Sequence, residues 1–253
     1  MFNSEEEKQF LNSLVRDYKD ISPYSNIKKN IILSLIKNCV ENSEQKQAMQ
    51  MGCSNGYETR QLATIFTNLD VLDGSSFFIE KNKNINDLKN VHFAEVLFEE
   101  MHEKINKKYD YIICSYVLEH VYDSVMILKN MSALLTDNGS IFVVVPNAMA
   151  LSRQLSMSMG MISNLTDLTE NDHKHGHRRV YTLETLHDDI KKAGLIVVET
   201  KGIVFKILAD FQLNKLLADS FLTEQHIHAM QSVANLEGNI SFSDSFFVEI
   251  KKS

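Results

Sequence analysis

The sequence has 253 residues, which is enough for one sizeable domain with an accessory part and a substantial buried core. Hydrophobic residues make up 44% and charged residues 23%, as in ordinary soluble globular proteins. The formal net charge of −7 argues against a general nucleic-acid binder, because phosphate backbones are bound by basic surfaces. We therefore expect no nucleic-acid partner.

The cysteines and the first residues bear on location. Cys39, Cys53 and Cys114 are widely spaced and form no zinc-type pair or redox CxxC motif, which favours reduced thiols. The stretch MFNSEEEKQF lacks the basic and apolar regions of a secretory signal, and no apolar run approaches the length of a membrane span. These features predict a cytoplasmic protein without a membrane partner.

Residues 1–45 have the pattern of an N-terminal helical cap. Apolar residues recur at helical spacing on both sides of ISPYSN, whose Pro23 and turn-forming residues separate two helices. Residues 46–253 form the second predicted domain. Within it, residues 147–180 lack clear periodicity and are predicted to be a substrate lid with short helices, while residues 204–240 are predicted to be a helical insertion.

Strand and helix patterns alternate through the second domain. The predicted strands are 47–51, 69–73, 91–95, 109–115, 140–146, 195–203 and 242–252. The predicted helices are 57–66, 123–135 (with Gly139 as its stop), 182–194 and most of 206–236. This alternation predicts an α/β fold with an open, doubly wound, mostly parallel seven-stranded sheet.

The stretch MQMGCSNGYETRQLA places two glycines, Gly52 and Gly56, in a turn between a strand and a helix. Ligands of open α/β sheets bind outside the carboxyl ends of the strands, where such turns present backbone N–H groups. The spacing is not G-x-G-x-x-G, so it argues against a pyrophosphate and leaves room for a smaller, non-phosphorylated part of a ligand. A plain tight turn is the alternative.

Asp73 ends the next strand, roughly 20 residues after the glycine turn, and is followed by Gly74 and Ser75. An acidic residue at this place accepts hydrogen bonds from ribose hydroxyls in nucleotide-binding folds. A helix N-cap is an equally good interpretation of Asp73 or Ser75 on local grounds alone.

A third segment, YDYIICSYVLEHVYDSVMILKNMSALLTDNGSIFVVVPN, follows these two turns. Together with MGCSNGYETRQLA and LDGS, it resembles the class I S-adenosylmethionine-dependent methyltransferases. The subgroup that it resembles contains ubiquinone-biosynthesis-type and small-molecule or sugar O-methyltransferases. The resemblance covers roughly residues 45 to 202, and the ordered set of motifs is more specific than any single one.

The resemblance implies a Rossmann-like methyltransferase sheet and S-adenosylmethionine as cofactor, with S-adenosylhomocysteine as product. It assigns the methionine part to the glycine turn, the ribose to Asp73 and the adenine to the residues after it. Relatives bind the adenine amine with an acidic residue after strand 3, where this chain has Leu97 and Phe98. The implied cofactor-binding residues are Gly52, Cys53, Ser54, Gly56, Tyr57, Asp73, Gly74, Ser75, Leu97, Phe98, Cys114 and Ser115.

The same resemblance puts Glu119 and His120 at the mouth where a substrate enters. His120 is the first candidate for a general base, because histidine titrates near neutrality; a structural histidine is the alternative. Glu119 beside His120 also allows a metal-assisted reaction. That is the lesser interpretation, and no residue is assigned as a metal ligand.

Basic residues concentrate in the stretch ENDHKHGHRRVYT, residues 170 to 182, of an otherwise acidic chain. It predicts an anion pocket for the substrate, with a solvated loop and a metal site as alternatives. His175 and His177 are alternative catalytic bases, and His173, Arg178 and Arg179 are predicted to bind substrate. From their placement in the chain, Tyr24, Tyr116, Asn147 and Arg153 are predicted to shape the pocket.

We therefore expect methyl transfer to an oxygen, less readily a nitrogen, of a small anionic acceptor. Phosphorylated or nucleotide-linked metabolites fit, as does a sugar destined for a surface polysaccharide. A nicotinamide-dependent oxidoreductase is one alternative, although its glycine motif is missing. A non-catalytic S-adenosylmethionine-binding protein is the other. The sequence predicts no oligomeric state.

Overall fold

A computed structural model describes residues 2–15, 22–41, 46–84 and 88–253. In this part of the chain, seven strands form one sheet in the order β3-β2-β1-β4-β5-β7-β6. All neighbours pair in parallel except β7, which runs antiparallel to β5 and β6. The strands are β1 (Gln47–Met51), β2 (Asn68–Asp73), β3 (Val91–Glu95), β4 (Tyr109–Ser115), β5 (Leu135–Pro146), β6 (Leu195–Ile203) and β7 (Ser245–Lys252). The predicted mostly parallel sheet is confirmed.

Helices cover both faces of this sheet, as a doubly wound fold requires. They are α1 (Ser4–Leu14), α2 (Pro23–Cys39), α3 (Tyr57–Ile65), α4 (Ser76–Lys83), α5 (Met101–Lys104), α6 (Ser124–Leu134), α7 (Leu151–Ser158), α8 (Glu170–His175), α9 (Leu183–Lys192), α10 (Asp210–Ala218) and α11 (Glu224–Ala234). Buried side chains of α5, α6 and α9 pack on one face. Those of α2, α3, α4, α10 and α11 pack on the other.

The central strands explain this burial. Alternate residues of a strand point to opposite faces, so Met49 and Met51 join one core while Ala48 joins the other. Residues 111–114 of β4 and 141–145 of β5 are apolar and buried on both faces, as their sequences predict. The carboxyl ends of β1, β2 and β4 therefore meet at one edge of the sheet, which positions the candidate site.

Two local predictions are wrong. Gly139 does not end helix α6, which stops at Leu134; it lies inside β5, which begins at Leu135. A Cβ at Gly139 would lie 2.8 Å from the backbone oxygen of Asp110, so glycine allows β5 to approach β4 closely. The last strand begins at Ser245 rather than at residue 242, because residues 240 to 242 form a 3₁₀ turn.

The other regions agree with the sequence more closely. The lid region contains α7 and α8, and the insertion contains two helices, α10 and α11. Pro23 is the first residue of α2, where its missing N–H costs nothing. The predicted domain boundary at residue 45 falls on 42–45, which lie outside the described residues. Among the helices that the structure describes, none combines the length and apolar character needed to cross a membrane.

Candidate active site at the carboxyl edge of the sheet

The glycine turn between β1 and α3 has a conformation that its sequence makes possible. Gly52 and Gly56 have φ angles of 75° and 77°, in the left-handed region that favours glycine. A Cβ at Gly56 would lie 1.9 Å from Oδ1 of Asn82 on α4, so this position also needs the absence of a side chain. Ser54, between the glycines, has a φ of 45° and a buried hydroxyl without a hydrogen-bond partner among the described residues.

Asp73 joins the glycine turn to the loop after β2. Its carboxylate accepts hydrogen bonds from the backbone N–H groups of Cys53 and Ser75, each at 2.9 Å. Burial raises the pKa of Asp73, and these hydrogen bonds oppose the rise. Burial also raises the pKa of Cys53, which stays a thiol. The buried hydroxyl of Ser75 has no partner among the described residues, so each loop carries one orphaned hydroxyl.

Helix α1 lies across this edge of the sheet. A Cβ at Gly74 would lie 2.6 Å from Cδ1 of Leu11, and a Cβ at Gly176 would lie 2.4 Å from Cδ1 of Leu14. Glu7 of α1 forms an ion pair with Arg178, with 2.8 Å between Oε2 and Nη2. The helix thus contacts the loop after β2 and the segment after α8 together.

Cys114 and Ser115, predicted to lie near the cofactor, end strand β4. Cys114 is fully buried, and the hydroxyl of Ser115 donates to Glu58 at 3.0 Å. Leu97 is buried, and Phe98 opens a 3₁₀ turn after β3. The hydroxyl of Tyr57 donates to Asn30 at 2.8 Å.

Glu119, in the turn after β4, is the most unusual group at this edge. Its side chain is fully buried, and neither carboxylate oxygen has a hydrogen-bond partner among the described residues. Burial raises the pKa of Glu119 to about 7, although the charges of His177 and Arg179 oppose the rise. Buried polar groups are normally hydrogen-bonded, so an exception needs an explanation.

His120 lies beside His177, with 4.8 Å between the ring centroids. Burial, followed by the charge of His177, lowers the pKa of His120 to about 3. A hydrogen bond to the Gly176 backbone opposes this shift. The premise that His120 titrates near neutrality therefore does not hold, and this imidazole is neutral at neutral pH and a weak base.

His177 is held by Asp172, a residue that the sequence analysis missed. Nδ1 of His177 lies 2.9 Å from Oδ1 of Asp172. Asp172 also accepts hydrogen bonds from the backbone and hydroxyl of Thr169 in a capping box at the start of α8. Burial opposes ionisation, but the hydrogen bonds from His177 and Thr169 hold the pKa of Asp172 well below its usual range. The T-x-x-D spacing was a sequence signal for this cap.

The arginines of the lid region are largely occupied by the protein itself. Arg179 donates to the backbone oxygens of Leu118, Val121 and Tyr122, and so fixes the turn after β4. Arg153 donates to two backbone oxygens and lies 3.4 Å from Asp172. Arg178, paired with Glu7, keeps a buried Nη1 without a partner among the described residues. His173 is exposed, and His175 contacts the Asn171 backbone.

The remaining predicted pocket residues are buried beside an ion cluster. Nζ of Lys28 lies 5.4 Å from the ring centroid of Tyr24 and 5.1 Å from that of Tyr116. Lys28 and Lys206 both pair with the buried Asp244, at 3.1 and 2.8 Å. Asp210, the first residue of α10, also pairs with both lysines, at 3.7 and 2.8 Å. These charged residues come from α2, the β6–α10 loop, α10 and the position before β7, so no local motif indicated the cluster.

Asn147, after β5, donates its side-chain amide to the backbone oxygens of Ser241 and Ser243. Tyr116, like Ser54, has a positive φ, and its hydroxyl donates to Ser245 at 3.0 Å. The structure thus brings Glu119, His120 and His177 together and turns Asn147 and Arg179 toward the backbone.

Solved structures of other proteins share this fold. A methyltransferase from Anabaena variabilis, described as SAM-dependent, has a TM-score of 0.64 and 15% identity over 100% of this chain and 96% of its own. The N-methyltransferase NodS from Bradyrhizobium japonicum, in complex with S-adenosyl-L-homocysteine, has a TM-score of 0.60 and 14% identity over 95% and 97%. The plantazolicin methyltransferase BamL has a TM-score of 0.60 and 15% identity over 99% and 91%. The fold is that of methyltransferases.

The sequence gives the more particular assignment. The model of the methyltransferase domain family matches residues 26–200, which is more than half of the chain. The chain therefore belongs to the methyltransferase domain family, and the oxidoreductase alternative is not favoured. No curated protein matches the sequence significantly.

Proposed function

We propose that this chain transfers a methyl group from S-adenosylmethionine to an oxygen atom of a small acceptor that has an anionic group. The observation that carries the cofactor assignment is the pair of buried hydroxyls of Ser54 and Ser75, which have no hydrogen-bond partner in the part of the chain that the structure describes. They lie on the two loops, joined by Asp73, that the family resemblance assigns to the cofactor. Buried polar groups without a protein partner suit a polar ligand.

Methyl transfer from a sulfonium is a displacement in which the positive sulfur already activates the methyl group. The protein therefore has to bind and align the two ligands and exclude water. The glycine turn and Asp73 would hold the cofactor, with Gly52 and Gly56 keeping the backbone close to it. The turn after β4 would face the acceptor.

An oxygen acceptor has to lose a proton, and the side chains after β4 and α8 are suited to promote this loss. His120 is a weak base here because burial lowers its pKa. We therefore assign the activation of the acceptor hydroxyl to Glu119 and His177, whose orientation Asp172 fixes.

We assign the binding of the acceptor's anionic group to Arg178. Its Nη1 is buried without a partner among the described residues, whereas Arg153 and Arg179 donate mainly to backbone oxygens. A guanidinium binds phosphate or carboxylate through paired N–H groups, which suits a phosphorylated, nucleotide-linked or acidic sugar acceptor.

The identity of the cofactor is tested by measuring the binding of S-adenosylhomocysteine and of the nicotinamide dinucleotides by calorimetry. We expect binding of the former alone, and the reverse result would contradict the assignment. The class of acceptor is tested by measuring the transfer of a labelled methyl group from S-adenosylmethionine to phosphorylated metabolites, sugar nucleotides, acidic sugars, phenols and amines. Methylation of amines alone would contradict the oxygen assignment.

Arg178→Gln tests the anion assignment once an acceptor is found. Loss of a charge-assisted hydrogen bond should raise the acceptor KM by about 10-fold or more with little change in S-adenosylhomocysteine affinity. Lys174→Gln is the matched control, because Lys174 is an exposed cation of the same segment that pairs with Glu170. Equal KM values for both variants would contradict the proposal.

A further inference from the structure

Three potential metal ligands lie close together where two segments of the chain meet. One carboxylate oxygen of Glu119 and one ring nitrogen each of His120 and His177 all lie within 4.8 Å of one another. Ligand atoms bound to one ion at about 2.1 Å lie about 3 to 4 Å apart, so a small inward movement completes the set. The turn after β4 supplies two ligands and the segment after α8 supplies the third.

Glu119 provides an independent indication that a cation belongs here. The side chain is fully buried, and both carboxylate oxygens lack a hydrogen-bond partner among the described residues. Arg179, whose charge acts on Glu119, donates its N–H groups to three backbone oxygens instead. A buried carboxylate is costly unless it is paired or coordinates a metal.

A carboxylate beside His177 is placed as in metal sites, where such groups orient a histidine ligand. Nδ1 of His177 lies 2.9 Å from Asp172, which leaves Nε2 available for coordination. The ring of His120 lies edge-on to that of His177, with 4.8 Å between the centroids and 82° between the ring planes. Metal-bound histidines commonly donate their second N–H to a carboxylate or a backbone oxygen.

We propose that Glu119, His120 and His177 bind one divalent transition-metal ion. Two imidazoles and one carboxylate favour an ion such as Zn²⁺, Co²⁺ or Fe²⁺ over Mg²⁺ or Ca²⁺, which prefer oxygen ligands. Three protein ligands leave a coordination position open. That position suits an acceptor oxygen, so Glu119 and His177 would activate the acceptor hydroxyl through the ion and not by accepting its proton. This role of the ion rests on the proposed function, whereas the ion site itself does not.

The test is a titration of the chelator-treated protein with Co²⁺, followed by its visible absorption spectrum. We expect one Co²⁺ per chain, and excess Mg²⁺ should not displace it. Glu119→Gln and His177→Gln should weaken binding more than about 100-fold. His228→Gln is the matched control, because His228 is an exposed histidine of α11 outside the ligand set, and this variant should bind Co²⁺ as the wild type does.

Asp172→Asn provides a second test that keeps all three ligands. Loss of the carboxylate that orients His177 should lower Co²⁺ affinity by about 10- to 100-fold. The proposal is overturned if the wild type shows no Co²⁺ spectrum, if the ligand variants keep it, or if Mg²⁺ displaces the ion. S-adenosylhomocysteine calorimetry on the same samples separates failure of the ion site from failure of the proposed function, since cofactor binding does not involve these ligands.

Discussion

Two buried carboxylates near the same edge of the sheet have opposite surroundings. Asp244 at the start of β7 pairs with both Lys28 and Lys206, and these lysines hold its pKa well below the usual range although burial opposes this. Glu119 has no such partner among the described residues, and burial raises its pKa. Burial alone therefore does not distinguish a structural carboxylate from a ligand-binding one. The presence or absence of a cationic side chain beside the carboxylate distinguishes them.

Glu7 on α1 lies between these extremes. It is buried and pairs with one arginine, Arg178, which is itself partly exposed. Within the described ranges, the three carboxylates form a series with two, one and no cationic partners at ion-pair distance. The loss of folding stability on removing each negative charge should fall in the same order, because most of this loss comes from the cation that is left without a partner.

The largest expected effect is that of Asp244→Asn. This substitution leaves Lys28 and Lys206 with Asp210, a half-exposed carboxylate, in place of the largely buried anion that they also share, which should lower the free energy of unfolding by about 3 kcal/mol. Urea denaturation measures the change. A loss below about 1 kcal/mol would break the comparison, because it would show that the two lysines do not depend on this carboxylate.

The same residue should make the protein sensitive to acid. The pKa of Asp244 is lower in the folded chain than its ordinary value of 3.8, so its stabilising contribution is complete above that pH and is lost as pH falls further. Unfolding of the wild type and Asp244→Asn, compared from about pH 7 down to about pH 3, should show the difference between them narrowing at the acidic end. A constant difference would contradict the assignment.

Glu7→Gln should have an intermediate effect. It removes one partly exposed ion pair between α1 and Arg178, which should lower the free energy of unfolding by about 1 to 2 kcal/mol. Thermal and urea unfolding measure the loss. Glu6→Gln is the matched control, because Glu6 is an exposed neighbour on the same helix.

Glu119→Gln should have the smallest effect on stability and a large effect on function. No described cation loses a partner, so we expect a change of less than about 1 kcal/mol, or a gain, at neutral pH in the absence of metal. Methyl transfer should fall strongly in the same variant. A large loss of stability with unchanged turnover would reverse the distinction between Asp244 and Glu119.

The parts of the molecule that depend on local sequence were predictable. Strand β4 and the second half of β5 contain apolar runs, and the glycine turn and Asp73 lie at strand ends with a recognisable spacing. Gly139 misled because a glycine near a helix end has the same local signature whether it caps the helix or admits a neighbouring strand. Only the close approach of Gly139 to the backbone oxygen of Asp110 distinguishes a glycine inside a strand from a helix cap.

The acceptor side depends on contacts that the sequence does not display. His177 meets Glu119 and His120 across more than fifty residues of chain, and Arg179 is used on backbone oxygens rather than on a ligand. A basic cluster in the sequence shows that cations are present. It does not show which of these cations already have partners. The structure describes those partners, and the proposed anion-binding residue is therefore Arg178 alone and not the whole basic segment.

The two glycines beneath α1 affect how long a ligand stays bound. Leu11 and Leu14 occupy the space that side chains at Gly74 and Gly176 would fill, so the helix rests directly on the backbone of both loops. Under the proposed function, a product bound to these loops would leave only after the helix detaches from both. Its residence time, and with it the rate of successive turnovers, would then depend on two leucines of a helix to which the proposal assigns no reacting group.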